Sequence, residues 1–290
     1  MKLILSILKF LIFSNLFVSL CVTVFTHLTY IIYNLPTNNL WPVLLMVFSF
    51  TFFTYNGQRL YRLNQKIIEK NNLGERLKWV IKHKVALTIS SIICGLIGLF
   101  CTLFIDYYCF LILIPMGGLS IFYVIPLIPI YKGSPSLRDI PYLKIIIIGI
   151  TWSIAIVWLP MVDTRYTVGM DTSTLLISLL QVFLFVVAIT LPFDVRDIRF
   201  DRITHLKTIP RLIGVKNTIV FSQLLLILST ITIYFLPVGL YFYPLVLGHI
   251  ITMIIIVLTN EKRSEMFYAG WIEGSVIILY SCVLITDLFF

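Results

Sequence analysis

The chemistry in this sequence gathers in the stretch LPFDVRDIRFDRITHLKTIPRLIG, residues 191–214, where Asp194, Asp197 and Asp201 recur at helical spacing. At 100° per residue the three carboxylates share an arc of about 60° on one helix face. Arg196, Arg199 and Arg202 fall on the other side. No aspartate here has a lysine or arginine three or four positions away, so the like charges repel unless something neutralises them. A divalent cation holding a diphosphate would do so, because Mg²⁺ takes one or two carboxylates and completes its shell with phosphate oxygens and water. Two plainer readings stay open: a solvated acidic face at a helix end, and carboxylates paired with arginines from other loops.

Two further polar stretches could serve a phosphorylated ligand. TYNGQRLYRLNQK, residues 54–66, offers Asn56 and Gln58 to a polar group and Arg59 and Arg62 to phosphate. YKGSPSLRDIPYLK, residues 131–144, supplies Lys132, Arg138 and Lys144. Each of these bases also has a plain explanation as charge that fixes orientation in a membrane.

The elements that must position these residues are membrane helices. Of 290 residues 59% are hydrophobic and only 12% charged, too apolar a composition for a soluble surface. Uncharged apolar runs long enough to cross a hydrocarbon core lie near 10–33, 40–59, 85–104, 108–130, 143–160, 172–193, 217–237, 240–259 and 268–289. The expected fold is an all-α bundle of about nine transmembrane helices, a single polytopic domain over 1–290. Its polar cytoplasmic loops fall at 60–84 and 194–216. No turn residue separates either loop from the span before it, so the second and sixth spans are expected to continue as helix past the membrane surface.

Charge orients the bundle. With Lys2 and Lys9 on the cytoplasmic side, 21 of the 22 lysines and arginines fall on that side and Arg165 alone lies outside. The net charge of +9 is therefore topogenic, and nucleic acid is excluded as a partner, since no basic stripe comes with a soluble fold to present it. The N-terminal apolar run is too long for a signal core and lacks a small-x-small cleavage site; it reads as a retained first helix. The five cysteines lie in or beside apolar segments without CxxC spacing and read as small buried hydrophobes. His27, His249 and Glu273 are the main titratable groups at depth, fewer than a proton-coupled transporter needs.

With its aspartate run, the chain resembles the UbiA-type intramembrane prenyltransferases. The family shows a D-x-x-D-x-x-x-D run followed by Lys-Thr, Pro and Gly, matched here by Asp194, Asp197, Asp201, Lys207, Thr208, Pro210 and Gly214. SLRDIPYLK before the fifth span is similar to the family's basic loop at that point. The family's first motif, N-D-x-x-D-x-x-x-D, keeps only Asn56; Gly57, Leu60 and Asn64 stand where carboxylates are expected. The resemblance implies a UbiA-like bundle with a cytoplasmic N-terminus in a bacterial cytoplasmic membrane. It implies transfer of a prenyl group from an isoprenoid diphosphate to a lipophilic or aromatic acceptor, with Mg²⁺ as cofactor. Asp194, Asp197 and Asp201 would hold the metal, Asp197 and Asp201 acting in catalysis. Asn56, Arg59, Lys132, Arg138 and Lys207 would contact the substrate, and Arg59 could replace metal with fixed positive charge. The lost carboxylates support a second reading, a non-catalytic relative that binds an isoprenoid lipid or a membrane partner. A transporter is a third class, for which the spans offer few polar groups.

Overall fold

The computed structural model describes residues 2–65, 74–126, 136–140, 142–168, 171–203 and 207–289. Lys132 and the side chains of Asn64 and Asp201 lie outside the described residues. Among those described, the chain is helical throughout with no strand. In chain order the helices are α1 Lys2–Phe13, α2 Leu16–Ile32, α3 Leu40–Gln65, α4 Glu75–Lys82, α5 Lys84–Cys101, α6 Cys109–Phe122, α7 Leu143–Ser153, α8 Leu159–Asp163, α9 Thr172–Ile203, α10 Ile209–Ile213, α11 Val215–Ile233, α12 Phe242–Val257 and α13 Ser275–Phe289. A π-helical turn, Ile154–Trp158, fuses α7 to α8, and another, Phe267–Ile272, leads into α13. Seven of the described helical stretches are long and apolar enough to cross a bilayer; α6 is a shorter apolar helix.

The first span differs from expectation. The apolar run over 10–33 is not one helix: α1 and α2 meet at 73°. Ser14 and Asn15 make the break. The Ser14 hydroxyl donates back to Phe10 O, and Asn15 adopts φ 65°, a left-handed conformation that asparagine tolerates better than apolar residues do. α1 then lies against α4, with Phe10 and Phe13 edge-on to Trp79 at 6.0 Å and Lys9 paired with Glu75 at 2.5 Å.

The two polar continuations form as expected. α3 runs 26 residues and α9 runs 32, about 39 and 48 Å at 1.5 Å per residue. α9 threads the centre, with Phe185, Ala188, Leu191, Val195 and Ile198 all buried. Close approach elsewhere needs glycine: a Cβ on Gly248 of α12 would come within 2.9 Å of Leu279 Cα on α13.

Prolines inside membrane helices free a carbonyl one turn back, and hydrocarbon offers it no water. Pro192 in α9 frees Ala188 O, which accepts from Ser222 Oγ of α11 at 2.6 Å. Pro160 in α8 frees Ile156 O in the π-turn, which accepts from Thr29 Oγ1 of α2 at 2.7 Å. The same rule accounts for the histidines at depth. His249 is bonded at both ring nitrogens, to Leu245 O (2.8 Å) and Ser229 Oγ (3.0 Å), and His27 Nδ1 meets Tyr280 OH at 2.8 Å.

Charge ties the ends. At the polar end Lys144, at the start of α7, reaches Asp194 of α9 at 2.5 Å, with the Asp194 side chain only 2% exposed. At the opposite end Arg165 pairs with Asp106 at 2.8 Å. The Tyr108 backbone N–H and then the Arg165 guanidinium hold the Asp106 carboxyl below its usual range.

Two predictions follow from these ties. Ser222→Ala should lower stability by roughly 0.5–2 kcal/mol, and in a Pro192→Ala background, where the Ala188 carbonyl regains a helical N–H, the same change should cost almost nothing. Equal losses in both backgrounds, read as thermal unfolding in detergent, would refute the carbonyl-capping role. Lys144→Met alone should cost about 3–5 kcal/mol by stranding a buried carboxylate, and pairing it with Asp194→Leu should recover most of that. A double variant as unstable as the single would show that the ion pair is not what joins α7 to α9.

Candidate active site

The break after α1 leaves carbonyls without helical partners, and the polar ends of α3 and α4 supply them. Arg76 Nη2 donates to Ile12 O at 3.1 Å, Arg59 Nη1 to Phe13 O at 3.0 Å, and Asn56 Nδ2 to Ser14 O at 3.0 Å. Cations at a helix C-terminus are also favoured by its dipole. Asn15 joins the same network: its Nδ2 donates to Asn56 Oδ1 at 2.8 Å and its Oδ1 accepts from Arg76 at 3.0 Å. Asn56 is fully buried and its second amide hydrogen goes to Phe52 O. Its amide is thus fully engaged in holding the break together.

α9 carries the aspartates of the second polar loop. Asp197 is embraced by the preceding residue, Arg196, whose Nε and Nη2 donate to its two oxygens at 2.7 and 2.9 Å. The Asp197 side chain stays 33% exposed. The Arg196 guanidinium lies 5.1 Å from the Phe193 ring and 5.8 Å from that of Tyr268, whose hydroxyl donates to Asn260 O. Asp194 is occupied by Lys144, as described above. The two aspartates whose side chains are described are therefore each neutralised within the chain, Asp194 by another helix and Asp197 by its own neighbour.

Arg59 and Arg76 thus meet at adjacent carbonyls of the same break, one from α3 and one from α4. Burial pulls the Arg76 guanidinium below the usual arginine range; Glu273 opposes that shift and Arg196 adds to it. The Arg76 Nε is buried without a hydrogen-bond partner among the described residues, as is Glu265 Oε2. Arg62 approaches Asp139 at 4.0 Å, and Asp139 also caps Ser136. Arg138 lies over the Tyr123 ring at 5.9 Å and, like Lys144, is felt by Asp197. Gln58 donates to Ser120 O on α6. Lys207 is exposed just ahead of α10 and pairs with none of the described acids.

Sequence reasoning missed Arg76 and the role of Asn15, and noted Glu273 only for its depth. An ionisable residue inside a span is a signal in itself; Arg76 sits among topogenic bases and carries no such signal.

A two-sided magnesium site does not fit these residues. Among the described residues no three His, Cys, Asp or Glu gather as a metal-binding group. On α3, Leu60 is buried against Val80 and Leu87, and a Cβ at Gly57 would meet nothing within 4 Å.

Residues 80–266 match the profile of the UbiA prenyltransferase family. No curated protein matches the chain in sequence. Among solved structures, a UbiA homologue from Archaeoglobus fulgidus bound to GPP and Mg²⁺ superposes with a TM-score of 0.69 at 13% identity, covering 97% of this chain and 99% of that one. A digeranylgeranylglyceryl phosphate synthase gives 0.57 at 16% identity over 97% and 96%. An apo UbiA homologue from Aeropyrum pernix K1 gives 0.63 at 14% over 93% and 95%. At these identities the structures speak for a shared fold. The profile match covers more than half of the chain, so the chain belongs to the UbiA prenyltransferase family.

Proposed function

We propose that this protein takes an isoprenoid diphosphate at the polar, cytoplasmic end of the bundle and transfers its prenyl group to a lipophilic or aromatic acceptor. The observation that carries the reading is the meeting of Arg59 and Arg76 at the adjacent carbonyls Phe13 O and Ile12 O, with Arg196 paired to Asp197 on α9, in a chain of this family. Family relatives solved with GPP or DMAPP and Mg²⁺ support the class of donor.

The reaction needs two environments. Charge develops on the departing diphosphate and is stabilised by cations already in place; the arginines are such cations, and Asp197 holds Arg196 in a fixed orientation. The allylic cation left behind needs a dry, aromatic surrounding. Phe193 and Tyr268 flank Arg196, and deeper in the bundle Tyr55 OH accepts from Trp152 Nε1 at 3.2 Å. The aspartates Asp197 and Asp201 remain the proposed acidic partners of the site. Arg138 and Lys144 lie close enough to be felt at Asp197. Mg²⁺ has a reduced role in this proposal, because the first motif lacks its carboxylates.

A second reading has its own support. Both described aspartates already sit in ion pairs, an arrangement that serves binding without turnover equally well. Purified protein in lipid nanodiscs distinguishes the two. It is expected to bind labelled geranyl diphosphate and, with a quinone-precursor ring as acceptor, to release pyrophosphate. Asp197→Ala should cut release by about 100-fold or more, since it removes the tether on Arg196 and leaves that charge unpaired. Binding without release across a panel of acceptors would establish the binding protein instead. No binding with or without divalent cations would reject the assignment.

A further inference from the structure

We infer that Arg59, Arg76 and Arg196 bind the diphosphate group directly, so that ligand binding does not depend on a metal bridge; this deepens the proposed function and rests on it. The three guanidiniums come from α3, α4 and α9: Arg59 and Arg76 meet at the adjacent carbonyls Phe13 O and Ile12 O, and Arg196 is held on Asp197. Guanidinium is a planar fork that meets phosphate oxygens two at a time and is more weakly hydrated than ammonium. Each fork also has donors to spare. Arg59 gives Nη1 to Phe13 O, and Arg196 gives Nε and Nη2 to Asp197. Arg76 keeps a buried Nε–H that no described group satisfies, and an incoming phosphate oxygen is the kind of acceptor it lacks.

The acids argue the same way. To gain its ligands on α9, a magnesium ion would have to pull Asp194 from Lys144 and Asp197 from a bidentate arginine. On α3 it would find Gly57 and Leu60 where the family carries carboxylates. A diphosphate faces the opposite situation. It carries more charge than any single carboxylate in the cluster and adds acceptors where donors are in surplus.

The test uses the whole protein in nanodiscs, with geranyl diphosphate and inorganic pyrophosphate as probes, titrated calorimetrically in EDTA and again in excess Mg²⁺. Affinity for geranyl diphosphate is expected to change less than about threefold between the two conditions. Arg59→Gln and Arg76→Gln are each expected to weaken binding in EDTA by about tenfold or more, the range for hydrogen bonds to charged groups. Arg59→Lys should fall between, keeping charge and losing the fork. Binding that vanishes in EDTA and returns with Mg²⁺ would overturn the inference while leaving the prenyl-diphosphate reading standing. Absence of binding in both conditions would remove that reading as well. Because Arg59 and Arg76 also cap α1, their variants are scored only where thermal unfolding stays cooperative; the comparison in EDTA uses the unaltered protein and decides the matter if neither variant folds.

Discussion

Backbone groups freed within the spans of this bundle are costly to leave unpaired, because the hydrocarbon around them supplies no partner. That constraint is visible at three interruptions of the helices. Pro192 and Pro160 each free a carbonyl, and a hydroxyl from a neighbouring helix is aimed at each. The interruption between α1 and α2 is larger, freeing several carbonyls at once, and it recruits Asn56, Arg59 and Arg76 together. The candidate site is built on this last repair. Two of its three arginines stand where they do because a helix C-terminus has to be closed.

This couples the N-terminal helix to the candidate site. α1 is held by Trp79 and Glu75 of α4, while Arg76 of that same helix reaches both the carbonyl of Ile12 and the Asn15 amide. Asn15 in turn fixes Asn56. A ligand drawing on Arg76 therefore draws on a network running through three helices. Asn56, the one residue of the first motif that matches the family, acts here as a buried structural amide.

Much of the scaffold was legible in the sequence because apolar runs and their charged boundaries obey simple length and charge rules. Helical continuation of the second and sixth spans followed from the lack of turn residues at residues 60 and 194, and α3 and α9 do run on. The bend at Asn15 was hidden. Ser14 and Asn15 do not stand out in a run that also holds Ser19, Thr23, Thr26 and Thr29, and only the tertiary network that anchors them makes the left-handed turn favourable. Pairing was equally hidden at the site. Helical spacing ruled out partners at three or four residues, yet Asp197 takes its immediate neighbour and Asp194 a lysine 50 residues away. Neither is visible to a rule that looks along one helix face.

The first motif shows how one change of residue type alters the charge logic of a wall. A carboxylate at position 60 would have to be buried, for Leu60 lies against Val80 and Leu87, and an unpaired acid in such a place is costly. With leucine there, the apolar face of α4 can dock on α3 through Val80. Arg76 lies one turn before Val80 on that face, so the docking that seats Val80 also delivers Arg76 to the break beneath α1 and to the neighbourhood of Glu273. Leu60 on α3 and Arg76 on α4 are thus placed by one packing arrangement. In the arrangement proposed above, negative charge would be held by fixed cations on the chain rather than by acids that must first collect an ion.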